Sequence, residues 1–136
     1  ATLRVSNLRQ DTGAVGIELL THDSSSSALI VSNVNVTNGI DTAIFVNTLN
    51  SSLLKARISN SRLLGNFSGL FISSTSNAQV AARFNGNTSD KYELIQSGAS
   101  TFQVENFVNF AGENSGTLTA VGTIMNAALN SLGIPN

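Results

Sequence analysis

Four short stretches of the chain read almost alike: Arg-Val-Ser-Asn from Arg4, Ile-Val-Ser-Asn from Ile30, Arg-Ile-Ser-Asn from Arg57 and, blurred, Arg-Phe-Asn-Gly from Arg83. Their starts at 4, 30, 57 and 83 give steps of 26, 27 and 26 residues. A period between about 20 and 50 residues is the mark of a repeat architecture, in which each unit buries its apolar face only by stacking on its neighbours. Each repeat holds two short strands with apolar residues at every second position. The first strand carries Val5, Val31, Ile58, Phe84 and, in a partial fifth repeat one step of about 20 residues on, Val104. The second carries Ile17 and Leu19, Ile44 and Val46, Leu70 and Ile72, Tyr92 and Leu94. Side chains alternate across a strand, so these positions form two inward stacks.

The spacing excludes the obvious competitors. Helical repeats need apolar residues at i, i+3 and i+4 over ten or more positions, whereas here the spacing is two, with β-branched residues frequent. A β-sandwich also has short strands but does not repeat the same strand-turn-strand text. Between the strands lie Gly-containing segments, Asp11–Gly16, Thr37–Ala43 and Leu64–Gly69, where the chain must turn sharply. The expected coils run over residues 3–28, 29–55, 56–81 and 82–101, with a partial coil over 102–112 and a C-terminal cap over 117–136, all within one domain, 1–136.

The pattern Val5, Asn7, Gly16, Ile17, Leu19, repeated as Ile58, Asn60, Gly69, Leu70, Ile72, resembles the right-handed parallel β-helix repeat of pectate-lyase-like enzymes, phage tailspikes and secreted surface proteins. The resemblance covers about residues 3–110, and the second coil departs from it by placing Ala43 where the others have Gly. It implies a right-handed, single-stranded parallel β-helix of about four to five coils. It also implies a hydrogen-bonded asparagine ladder at one turn, matched here by Asn7, Asn33 and Asn60 and interrupted at Gly86.

Composition narrows the function classes. The net charge of −1 and a charged fraction of 11% give no basic excess for phosphate, so no nucleic-acid partner is expected. No apolar run approaches the roughly 18 to 20 residues of a membrane span. Cysteine is absent, which removes disulfides and thiolate metal sites. Polar character comes instead from 19 Ser, 12 Thr and 17 Asn, as suits a β-rich surface with many turns and an extracellular or cell-surface setting. Four Asn-x-Ser/Thr triplets occur, at Asn35, Asn50, Asn66 and Asn87, but so much Ser and Thr produces about that number by chance.

Candidate site residues fall in outward columns. One reads Arg4, Ile30, Arg57, Arg83; a second reads Arg9, Asn35, Arg62, Thr88; together they hold all five arginines. They form either a basic strip for an acidic glycan or a carboxylate-bearing partner, or an ordinary solvated surface. A third column reads Glu18, Phe45, Phe71, Glu93. Its two stacked phenylalanines lie under a folded-back segment of the chain, bury in an oligomer interface, or stack on sugar rings. The carboxylates scatter: Glu18 and Glu93 share a column but lie three coils apart, about 14 Å, beyond the roughly 5 to 9.5 Å of a glycosidase pair. His22, the one histidine, stands beside Asp23 in a Ser-rich loop. No catalytic residue, cofactor or metal site is expected.

The two ends differ. Ile124, Ala127 or Ala128, Leu129 and Leu132 share a helical face between a Thr123 cap and a Gly133 stop, which predicts a short amphipathic capping helix. The N-terminal end enters its first coil at once and exposes Val5 and a row of unpaired main-chain groups, so earlier coils or another chain are expected to cover it. The sequence therefore suggests a non-enzymatic extracellular module, structural or adhesive, that assembles through its N-terminal end and contacts polysaccharide. The alternative is the C-terminal part of a polysaccharide-degrading or polysaccharide-binding β-helix enzyme, such as a lyase, a hydrolase or a phage tailspike.

Overall fold

The computed structural model describes residues 1–136, and its strands wind as a parallel β-solenoid of about five turns. The first coil contains β1 (Thr2–Ser6), β2 (Arg9–Asp11) and β3 (Ile17–Thr21). The second contains β4 (Ser26–Ser32), β5 (Asn35–Thr37) and β6 (Thr42–Thr48), and the third β7 (Leu53–Ser59), β8 (Arg62–Leu63) and β9 (Ser68–Ser74). The fourth has two strands, β10 (Gln79–Asn85) and β11 (Thr88–Gln96). The fifth has β12 (Thr101–Glu105), a helical segment made of a 3-10 turn (Phe107–Asn109) and α1 (Phe110–Glu113), then β13 (Ser115–Val121); β14 (Ile124–Ala127) opens a further turn.

Each strand pairs in parallel with its own copy one coil on. The first sheet runs β1-β4-β7-β10-β12-β14, and the second joins β2-β5-β8 and β3-β6-β9 through β11, with β13 also paired to β11. The register fixes the inward stacks: Val5 meets Val31, Val31 meets Ile58, and Ile58 meets Phe84. On the other sheet Ile17, Ile44, Leu70 and Tyr92 form one row, and Leu19, Val46, Ile72 and Leu94 the next. These rows supply most of the buried apolar core. Val104 is buried too, but it meets Ala82 rather than Phe84, because the real step there is 22 residues.

The shortening has a local cause. In the first three coils the chain turns a third corner with a residue at positive φ: Thr12 (69°), Asn38 (55°) and Gly65 (72°). In the fourth coil the equivalent text, Thr88–Gln96, lacks Gly and Asn, and β11 runs straight through. The small residues just past that corner, Gly16, Ala43 and Gly69, fill an inner column where space is short. A Cβ at Gly69 would lie 3.0 Å from the Leu63 carbonyl oxygen and closer still to Ser89 Oγ.

Three expectations need correction. The expected C-terminal helix exists as the seven residues Phe107–Glu113, inserted in the fifth coil, and not at residues 124–132. The edge of β12 needs a main-chain partner, and β14 provides it, with Phe102 beside Ile124 and Val104 beside Asn126; strand pairing overrides helix propensity here. The fifth coil is therefore complete rather than partial. Lastly, Asn7, Asn33 and Asn60 are exposed, and no hydrogen bond joins their amides. Their φ values of 56°, 54° and 50° show what they share with Gly86 (68°): a left-handed corner, which Asn and Gly adopt with least strain.

The polar ladder lies one residue further on and faces inward. Leu8, Val34, Ser61, Asn87 and Asn114 occupy equivalent positions, the carbonyls of the first four each accepting an N–H from the next coil. Ser61 Oγ accepts the Val34 N–H at 3.2 Å, and Asn87 Oδ1 accepts the Ser61 N–H at 3.1 Å. Asn87 Nδ2 donates to Asn114 Oδ1 at 2.9 Å and to the Ile58 carbonyl at 2.8 Å. Asn114 in turn donates to the Phe84 and Phe110 carbonyls, so each buried amide is fully engaged.

Candidate functional site

The first outward column is a true column: Arg4 pairs with Ile30, Ile30 with Arg57, and Arg57 with Arg83. It is not a free basic strip. After β14 the chain leaves the stack through a tight turn, where Ser131 donates to Ala128 O and Asn130 takes φ 60°. It then runs back across the outer face of the first sheet. The Leu132 N–H donates to Glu105 Oε1 at 3.1 Å, and Lys55 Nζ donates to Gly133 O at 3.1 Å. Arg57 donates to both Ile134 O (3.3 Å) and Pro135 O (2.9 Å), and Arg4 to Asn136 O (2.7 Å). Ile30, between Arg4 and Arg57 on the face that the segment crosses, is only 7% exposed although it points outward. Ile134 is the one residue of this segment to be buried, at 8%.

Arg83 works differently. Its guanidinium grips Glu113 through both terminal nitrogens, at 2.5 and 2.8 Å, and also donates to the Phe84 carbonyl. The hydrogen bond from Arg83, together with its charge, holds the Glu113 carboxyl below its ordinary range. This pair fastens the helical insertion, whose Phe110 packs edge-on against Phe84, Tyr92 and Phe107. Burial of Tyr92 within this aromatic group raises its hydroxyl to about 12. Phe84 and Tyr92 are the inward residues the repeat predicts, but Phe107, Phe110 and the helical insertion that carries them have no sequence signal, because the insertion interrupts the repeat.

The second column also holds in the register, Arg9 beside Asn35, Asn35 beside Arg62, and Arg62 beside Thr88. Arg9, Arg62 and Thr88 are exposed. The third column runs Glu18, Phe45, Phe71, Glu93 as expected. The Phe45 and Phe71 rings stack 5.0 Å apart at 10° and are half-buried. The folded-back segment covers the arginines on the other sheet, not these rings. Phe67 and Ile40, on the loops leading into β9 and β6, are 79% and 83% exposed.

Glu93 forms an ion pair with Lys91 at 2.7 Å. Partial burial is the largest single influence and works against its ionisation, but the hydrogen bonds from Lys91 and Ser68 and the Lys91 charge together outweigh it, and the carboxyl sits below its usual range. His22 Nδ1 lies 2.8 Å from Asp23 Oδ2 in an exposed loop, and that contact lowers the Asp23 carboxyl. Glu18 and Glu93 remain three coils apart, and no three His, Asp or Glu side chains gather as a metal site would require. No cleft interrupts the surface, and no helix is long and apolar enough to cross a membrane.

The edges complete the surface. At the N-terminal end, Val5, Leu8 and Leu19 are only partly buried, whereas their equivalents one coil on, Val31, Val34 and Val46, are buried to 0–1% exposure. At the other end Leu118 and Ile124 are partly buried and Ala120 is exposed. No family model, curated protein or solved structure matches the chain, so the parallel β-solenoid is what it shares with the β-helix repeat, and the pectate-lyase-like or tailspike-like assignment finds no family match.

Proposed function

We propose that this chain is a non-enzymatic extracellular β-solenoid module, structural or adhesive, that assembles through its N-terminal edge with another chain or with further coils. The supporting observation is the edge itself. Main-chain groups along β1, β2 and β3 face outward from the stack, beside core residues left half-covered. An added parallel strand would pair with those groups and bury Val5, Leu8 and Leu19 as the next coil buries Val31, Val34 and Val46. The contact would resemble that between the first and second coils, whose strands pair along all three edges. The half-buried Phe45–Phe71 pair is the surface proposed for sugar contact.

Hydrogen exchange tests the edge. Amides of β1 and β3 are expected to gain protection as concentration rises, while those of β7 and β9 stay constant. Equal exchange at all concentrations, or cleavage of a polysaccharide by the purified chain, would contradict the reading.

A further inference from the structure

We propose that the outer face of the first sheet is a docking site for an extended peptide segment, filled within one chain by residues 132–136 and able to take the same segment of a second copy. The bonds that hold the segment run almost entirely from sheet side chains to its main chain. Lys55, Arg57 and Arg4 donate to four successive carbonyls, from Gly133 to Asn136, and Glu105 accepts one N–H. Ile134 alone inserts a side chain. None of these contacts depends on which copy supplies the segment, which is the condition for exchange of an identical element between copies.

Two features keep the segment exchangeable. Its connection to β14 is an exposed turn, with Leu129 53% exposed and only local bonds at Ser131. Docking also has a built-in cost at Glu105. That carboxyl is 1% exposed, its Oε1 bonds the Leu132 N–H, and its Oε2 has no partner. A buried carboxylate oxygen left unpaired is a cost carried by the docked state. The chain's own segment competes at an effective concentration on the order of millimolar, so a second copy enters when that segment is disabled or when copies are crowded. The site uses the lateral face and meets the N-terminal edge strand only through Arg4.

The test uses a fluorescent peptide with the sequence of residues 128–136 and the full chain. Binding to the unaltered chain is expected to be weak. An Ile134→Asp chain, or a Gly133→Val chain that leaves every sheet residue in place and strains the φ of +60° at that position, is expected to bind the peptide at least tenfold more tightly. Adding Arg57→Gln to either is expected to reverse that gain. Limited proteolysis reports whether the resident segment has let go. Binding no tighter than to the unaltered chain, binding insensitive to Arg57→Gln, or a segment that stays protease-resistant in both variants would each overturn the proposal. Failure of edge assembly alone leaves this result untouched, because neither Ile134 nor Arg57 lies on the N-terminal edge.

Discussion

Two kinds of asparagine do different work in this chain, and single substitutions separate them. Asn7, Asn33 and Asn60 hold left-handed corners from outside, so Asn60→Gly should change stability by no more than about 0.5 kcal/mol, whereas Asn60→Ala should cost about 1 kcal/mol through backbone strain. Asn87 is the inward kind, with its amide bonded to Ser61, Asn114 and the Ile58 carbonyl. Asn87→Ala leaves those partners unpaired and should cost about 2 to 3 kcal/mol by urea denaturation. The repeat made the corner visible, since four residues recur at one address. It could not show which side of the corner faces the core: one residue of shift reverses a strand's faces. Serine at position 61 also hid the ladder that Asn87 and Asn114 continue.

Glu113 allows a pH test at the same scale. Its folded carboxyl is lowered by Arg83, so its contribution is present above the ordinary carboxylate value of 4.5 and is lost as pH falls below it. Thermal midpoints should fall on acidification below that value, and Glu113→Gln should flatten that part of the profile. Tyr92 acts in the opposite sense. Its hydroxyl is raised from 10.0 to about 12, so the stability it contributes is complete below 10.0 and is lost as pH rises through about 12.

At the scale of elements, the coil was legible and its exceptions were not. Alternating apolar residues and Gly-bearing turns pointed to two strands per coil, to their parallel stacking and to the outward columns, which the register reproduces; the short middle strands β2, β5 and β8 were not expected, because two or three residues carry too little alternation to read. Residues 124–132 carried a helix pattern as well, and only the unpaired edge of β12 decides in favour of a strand. The fate of the arginine column was equally out of reach, because it depends on a segment folding back over about 78 positions of sequence to meet Arg57. The phenylalanine pair is a test of the outward columns. Phe45→Ala and Phe71→Ala should show a coupling of about 0.5 to 1.5 kcal/mol in a double-mutant cycle, the worth of an aromatic pair beyond its burial. A coupling near zero would mean that the two rings do not stack in solution.

For the whole molecule, stability in a solenoid is close to a sum over neighbouring coils, and the terminal coils each lack one neighbour. Val5, Leu8 and Leu19 lack that contact at one end, and Leu118 and Ile124 at the other. In the proposed assembly the half-covered row at the N-terminal edge is buried by association along the axis, and charge placed on an edge strand opposes it. The most direct measurement is sedimentation of the chain across a concentration series, beside a Val5→Lys variant checked for native circular dichroism. Assembly through the N-terminal edge gives a mass that rises above the 14.2 kDa of one chain, and a variant that stays near that mass. A single 14.2 kDa species at every concentration, or a variant that associates as well as the unaltered chain, would contradict it.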